Sequence, residues 1–348
     1  MIQKIIEEDS ISIASSVLPW NKLEDKTVLV SGANGYVPAY FVHALLKRNE
    51  LFNSGIRVVA LCRSEERAKE RFANYFERDD FELLIQNVCD PIKYKYPVNY
   101  IIHAASPAGM SSRYTNCVET YTANVLGCLN LLELGRINAC SGFLLLSSVD
   151  VYGNTGSTER FTEDTMGIID GLNPRNAYAM GKRGAETLCI CYNAQYNVPA
   201  IIVRPFQIFG PGIALDDGRL HADFISQILK SDKIVLKSDG SAKRTFMYIT
   251  DAIYGMFLAM LQGTHGQAYN IVDESGEASV LELANLMASL CCNKKITVEF
   301  DISQRSTLAV TQAPAITVGN STKIRSLEWT PKYSLKNGAA RTMKAYGL

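Results

Sequence analysis

The sequence predicts an α/β fold built on a doubly wound parallel sheet, and three observations lead there. Short β-branched runs alternate with helical stretches from residue 26 onward, the pattern of a sheet whose strands are joined by helical crossovers. One of those strands opens directly onto a glycine turn and a helix. The chain has 348 residues, 47% of them hydrophobic and 20% charged, enough apolar material for one large or two coupled globular units.

Taken in order, residues 1–24 place Ile2, Ile5, Ile6, Ile11, Ile13, Val17 and Leu18 at helical spacing and end at Pro19 and Trp20. They predict a helical extension packed on the domain that follows; a tail that binds a partner is the alternative. Residues 26–31 (KTVLVS) form the first strand, followed by Gly32, Ala33, Asn34 and Gly35 and by a helix over 36–48 that starts with Tyr36 and Val37. Strand, glycine turn and helix N-terminus make the setting in which backbone approaches a pyrophosphate and the helix end attracts its charge. Pro38 stands where a third small residue is usual, a substitution the first helical turn tolerates.

The second strand, residues 57–62 (RVVALC), ends at Cys62 and is followed by Arg63, with Arg67 a turn later. No carboxylate stands there to hold ribose hydroxyls, whereas a guanidinium suits a 2′-phosphate, so the cofactor expected is NADP or NAD, with Arg63 leaning to NADP. A third strand over 81–85 leads to Asn87 and Val88, candidates for the adenine edge. The fourth, 100–103, runs into Ala104, Ala105 and Ser106, small enough to lie against a cofactor. His103 reads as a strand-end residue, and no second histidine stands at metal-ligand spacing, so no metal site is expected. A long helix carrying Asn124 follows.

An apolar strand over 143–148 then delivers Ser147 and Ser148, and a later helix carries Tyr178 and Lys182 at i and i+4. That spacing puts both on one helix face, so the ammonium can favour the phenolate of a group whose pKa starts near about 10. Tyrosine becomes a usable base, and Ser148 can hydrogen-bond the same substrate oxygen. Tyr-x-x-x-Lys also occurs on surface helices by chance; the glycine turn and Ser148 are what set this one apart.

Composition narrows the partners. Lys plus Arg and Asp plus Glu both number 35, which leaves no basic field for nucleic acid or anionic lipid. No run of 18 apolar residues appears, so no membrane span is expected. The nine cysteines lack paired C-x-x-C spacing and fit inert thiols in a reducing cytoplasm.

The pieces SGANGY, HAAS, Asn124, SSVDVYG, YAMGK, RPFQIFGPG, DDGR, KRTFMYITDA, AYNIV and LEWTPKYSL occur in this order over residues 25–345. In this the chain resembles the extended short-chain dehydrogenase/reductases that modify nucleotide sugars, the epimerases, dehydratases and decarboxylases. NPRNAYAMGKRGAE, GPGIALDDGRLHADF and DGSAKRTFMYITDAI are most similar to UDP-glucuronate decarboxylases. The resemblance implies a Rossmann-type cofactor domain over 25–206. It also implies a smaller C-terminal substrate lobe, mainly 207–348, with 249–272 returning to the first domain. It implies a homodimer paired through helices around 108–135 and 178–196.

By the same resemblance Ser148, Asp150, Tyr178 and Lys182 are catalytic, with Lys182 also on the nicotinamide ribose. Gly32, Asn34, Gly35, Tyr36, Val37, Arg63, Asn87, Val88, Ala104, Ala105, Ser106 and Asn124 hold the cofactor. Ser148, Gln207, Arg219 and Arg244 meet the nucleotide-sugar substrate, the arginines as phosphate forks. Four departures bear on the reaction: Asp150 stands for the family glutamate, Val149 for an acid, Gln207 for asparagine, and residues 310–316 lack a phosphate-gripping arginine. The implied chemistry is C4 oxidation of a nucleotide-linked sugar, followed by decarboxylation of a UDP-uronic acid. The alternatives are 4-epimerisation or 4-keto reduction, then 4,6-dehydration, and a catalytically silent cofactor-binding protein of the same fold.

Overall fold

The computed structural model describes residues 1–107, 115–292, 294–301 and 316–348. Its centre is a seven-stranded sheet formed by β1 (Thr27–Ser31), β2 (Arg57–Cys62), β3 (Phe81–Ile85), β4 (Tyr100–His103), β5 (Gly142–Leu146), β6 (Ala200–Pro205) and β10 (Gln267–Ile271). The strand order is β10-β6-β5-β4-β1-β2-β3, and every pairing is parallel. Parallel strands covered on both faces read as continuous apolar runs, and β5 (GFLLL) is buried along its whole length. The order reverses between β1 and β4, which opens a crevice at their carboxyl ends.

Three helices bear on that crevice: α2 (Tyr36–Phe52), α4 (Cys117–Ile137) and α5 (Ala177–Tyr196); α1 (Ile2–Ala14) packs on α2, and the short α3 (Glu65–Arg71) follows β2. Pro38 falls at the third position of α2, where no intrahelical N–H partner exists to be lost, and the Ala39 N–H still reaches Gly35 O at 3.1 Å. The helix runs four residues past the expected 48 and ends at Asn53 in the left-handed conformation. α4 and α5 approach closely because Gly181 has no side chain: a Cβ there would lie 3.2 Å from Asn124 Cβ. Strand β5 ends at Leu146, so Ser147 and Ser148 stand just past the sheet, on the turn that follows.

The remaining strands are β7 (Gln207–Phe209), β8 (Lys233–Leu236), β9 (Lys243–Tyr248), β11 (Glu277–Ser279), β12 (Thr297–Phe300) and β13 (Ile316–Thr317). β9 is the middle of a small sheet, flanked by β11 and β13 with β7 also paired to it, while β12 pairs with β8. α6 (Leu220–Lys230), α7 (Ile249–Gln262), α8 (Val280–Leu290) and α9 (Leu335–Ala345) complete the elements used below. Of the stretch whose missing arginine was noted, residues 310–316, all but Ile316 lie outside the described residues.

The N-terminal helix is bound into the fold by a buried acid. Asp9 on α1 is fully buried and accepts hydrogen bonds from Tyr248 Oη at 2.8 Å and from Arg341 Nε of α9 at 2.7 Å. Burial pushes its carboxyl pKa up, and those two donors work against the rise.

Candidate active site

The glycine turn lies against the end of β4. Gly32 has φ +64°, and a Cβ on it would stand 2.7 Å from Ala105 Cα, so the position requires glycine for both conformation and space. Ser31, which sequence reading passed over, organises this contact. Its hydroxyl oxygen accepts the N–H groups of Ala104 at 3.1 Å and Ala105 at 3.2 Å, which leaves its proton for His103 Nδ1 at 2.9 Å. His103 is buried, and burial, reinforced by the Lys182 charge, pushes its pKa down to about 3. It is neutral with the proton on Nε2, a structural residue as its strand-end position suggested.

Around the turn the other expected residues are distributed unevenly. Asn34, Gly35 and Val37 are half-buried at the start of α2, and Tyr36 is buried beneath it. Asn124 donates to Ser106 Oγ at 3.0 Å and to Thr120 O at 2.7 Å, while its Oδ1 is buried with no hydrogen-bond partner among the described residues. Arg63 is exposed just beyond β2, beside a Cys62 thiol that burial pushes up to about 11. Asn87 is exposed, its carboxamide oxygen accepting the Cys89 N–H at 3.1 Å, and Val88 is buried under α4.

The Ser148, Asp150, Tyr178 and Lys182 group forms where β5 meets α5. Ser148 Oγ accepts the Asp150 N–H at 3.1 Å, which fixes the oxygen and leaves its proton available to a substrate. Tyr178 and Lys182 are both buried on the first turns of α5. Lys182 Nζ donates to Leu146 O at 2.6 Å and sits 5.8 Å from the centre of the Tyr178 ring, so one ammonium joins the strand end to the phenol. Arg183 adds two more ties, donating to Val151 O at 2.7 Å and Gly167 O at 2.9 Å.

Of the expected substrate residues, Arg244 on β9 comes near the catalytic group. Burial lowers its guanidinium pKa, and the Asp150 carboxylate acts against that fall. Gln207 opens β7 opposite Phe246 of β9. Arg219 lies elsewhere: it pairs with Asp217 at 3.2 Å and stands 5.8 Å from the centre of the Tyr36 ring, beside the helix that follows the glycine turn. Tyr36 Oη and His221 Nε2 close by are buried without a hydrogen-bond partner among the described residues.

The sequence pattern of the NAD dependent epimerase/dehydratase family matches residues 28–272. The chain belongs to this family. It is similar to UDP-glucuronic acid decarboxylase 2 of Arabidopsis thaliana, 30% identical over 324 residues that cover 92% of this chain and 68% of that protein. UDP-glucuronic acid decarboxylase 1 of Danio rerio is 26% identical over 353 residues, 99% of this chain and 79% of that protein. In fold it is similar to UDP-glucuronic acid 4-epimerase from Bacillus cereus, solved with UDP-glucuronic acid and NAD. The TM-score is 0.77 at 23% identity, covering 92% of this chain and 99% of that one. A dTDP-glucose 4,6-dehydratase from Bacillus anthracis, in complex with NAD, gives 0.75 at 21% identity, covering 92% and 96%.

As a member of this epimerase/dehydratase family the protein is an enzyme, and its turn fits the dinucleotide the family uses. The absence of a side chain at Gly32 lets the turn lie directly against the Ala104–Ala105 backbone, and no N-cap side chain occupies the first N–H groups of the 17-residue α2. Residues missed at the sequence level are Ser31, described above, and Glu186, Arg204, Tyr152 and Asn270, a polar group behind Ser148. Glu186 stands one helical turn after Lys182 and two after Tyr178, a spacing that would have marked it as facing the same way.

Proposed function

We propose that this enzyme oxidises C4 of a UDP-linked uronic acid and decarboxylates the 4-keto sugar. The observation that carries this reading is the contrast between two neighbours on the turn after Ser148. Val149 is buried in an apolar cluster with Val151, Tyr152, Phe161, Phe206 and Val272, whereas Asp150 is half-buried and within the electrostatic reach of Arg244. Of these two positions only Asp150 offers a carboxyl group. A 4,6-dehydratase must protonate a departing C6 hydroxyl and remove the C5 proton, work for two acids, and valine donates no proton.

In this reading Gly32, Asn34, Gly35, Ala104, Ala105 and Asn124 hold the cofactor. When bound, the nicotinamide supplies the two-electron acceptor for C4 and gives the electrons back at the end. Tyr178 takes the C4 hydroxyl proton while Ser148 donates to the same oxygen, and Lys182 lies over the Tyr178 ring. Once C4 is a ketone, the C5 carboxylate is a β-keto acid. The bond to CO2 breaks, its electron pair passes into the carbonyl, and Asp150 manages the proton returned to C5. Arg244 binds the diphosphate as a fork, with Gln207 on the neighbouring strand, whereas Arg219, paired with Asp217 beside Tyr36, is given no part in this grip. The similarity to the decarboxylases named above supports a uridine diphosphate.

Incubation with UDP-glucuronate, UDP-glucose and a 4-keto-6-deoxy nucleotide sugar, with products read by mass spectrometry, tests the reading. A UDP-pentose from the first is expected. Its absence ends the decarboxylase reading; a 4-epimer or a 4-reduced sugar selects the alternatives, and a dehydrated hexose shows that Val149 was misjudged.

We further propose that the exposed Arg63 receives a 2′-phosphate, so that NADP binds more tightly than NAD. Titration of both into wild type and Arg63→Ala checks this. The variant is expected to weaken NADP selectively, and tighter NAD binding by wild type overturns the proposal. The enzyme is also proposed to pair as a homodimer through exposed apolar residues of α4 and α5, among them Val118, Tyr121, Leu126, Leu129 and Ile190.

A further inference from the structure

Behind the serine turn lies a buried polar chain that touches neither the glycine turn nor the lobe strands. Ser147 donates its hydroxyl proton to Glu186 Oε1 of α5. Arg204 at the end of β6 grips the same carboxylate with both edges of its fork, Nε to Oε1 at 2.9 Å and Nη2 to Oε2 at 2.8 Å. Its remaining Nη1 donates to Glu163 O at 2.7 Å and to Tyr152 Oη at 3.2 Å, and Tyr152 donates in turn to Asn270 Oδ1 on β10. Asn270 passes the chain on to Phe161 O at 2.9 Å. Each of these groups is satisfied, which makes the chain stiff.

Its position gives it a use. Leu146 and Ser147 are consecutive at the end of β5, and α5 grips both: Lys182 holds the Leu146 carbonyl and Glu186, one turn later, holds the Ser147 hydroxyl. The next residue is Ser148, and the helix holding it carries Tyr178. We infer that Glu186 is a positioning residue. Through Ser147 and Arg204 it fixes the distance between the Ser148 hydroxyl and the Tyr178 phenol, so that both oxygens reach one substrate atom. The inference rests on the roles given to Ser148 and Tyr178 above, and it assigns Glu186 no contact with substrate.

A merely structural ion pair would predict something different. Replacing a buried pair by apolar groups of like size is often neutral for stability, so Glu186→Leu with Arg204→Met is expected to recover the unfolding midpoint that Glu186→Leu alone loses. Positioning is not recovered. Three variants, Ser147→Ala, Glu186→Gln and the Glu186→Leu/Arg204→Met pair, with Glu186→Leu alone as the reference for recovery, are compared by kcat and KM for UDP-glucuronate, unfolding midpoint and amide exchange over residues 147–152. The expected result is kcat lower by about tenfold or more in all three, with KM within about twofold, since small misplacement of reacting groups acts on the chemical step. Amide exchange in the turn should rise by about tenfold, as the Ser147 N–H now held by Val203 O at 2.8 Å loosens. Recovery of kcat together with the midpoint in the double variant overturns the inference. So does a Ser147→Ala protein with unchanged kcat and exchange. Should wild type turn over none of the nucleotide sugars, the decarboxylase reading falls, and the exchange measurement alone decides whether Glu186 holds the turn.

Discussion

Lys182 has two neighbours that matter, the Leu146 carbonyl and the face of Tyr178, and only the second was readable from the i,i+4 spacing. Tyr178→Phe keeps the buried ring and the cation above it and removes only the phenolic oxygen. Turnover is expected to fall by roughly 10²-fold to 10⁴-fold, with the unfolding midpoint and cofactor affinity nearly unchanged. Wild-type turnover by this variant, measured alongside a cofactor titration, would contradict the assigned base. Ser148, Tyr178 and Lys182 were legible because a motif fixes their spacing within one segment. Ser31 and Arg204 were not: Ser31 acts on residues 72 to 74 positions away and Arg204 on residues 18 to 52 positions away, partners that only the sheet order brings beside them.

Among the elements, the inner strands β1, β2, β4 and β5 were legible because burial makes each one a nearly continuous apolar run, and the glycine turn marked the first crossover. The small strands β7, β11 and β13 are two or three residues long and are held by pairing with β9, so local pattern carries little trace of them. The faces of α4 and α5 carry the homodimer proposal. Each helix buries small residues such as Gly127, Gly181 and Ala185 inward and leaves Leu126, Leu129 and Ile190 outward. Light scattering at micromolar concentration should give twice the chain mass, and Leu126→Glu with Ile190→Glu should return the single-chain mass. A wild type that elutes at the mass of one chain would refute this pairing.

For the molecule as a whole, three buried histidines set its response to acid. Burial pushes His43, His103 and His221 down to about 3, each with a nearby cation adding to the fall. The unfolded chain binds these three protons as pH drops below about 6.5, whereas the folded protein resists them until about 3, so stability is lost across that window. Two carboxyls run the other way, since burial raises Asp9 and lifts Asp251 to about 6. The balance is one to three protons, or roughly 1–4 kcal/mol of stability lost per pH unit below about 6.5. Urea midpoints at pH 7.5 and pH 5.5 measure it, and equal midpoints would contradict neutral burial of these rings.

The bond between Asp9 and Arg341 spans 332 positions of sequence. On the ribosome α1 emerges well before α9 and can lie down on α2 within a few seconds of their synthesis, yet Asp9 has no Arg341 beside it until α9 has been made. While the 332 positions between them are made, then, Asp9 is an acid that water must still reach. The chain thus carries a timing rule in its own connectivity: α1, made before α9, is locked only after it.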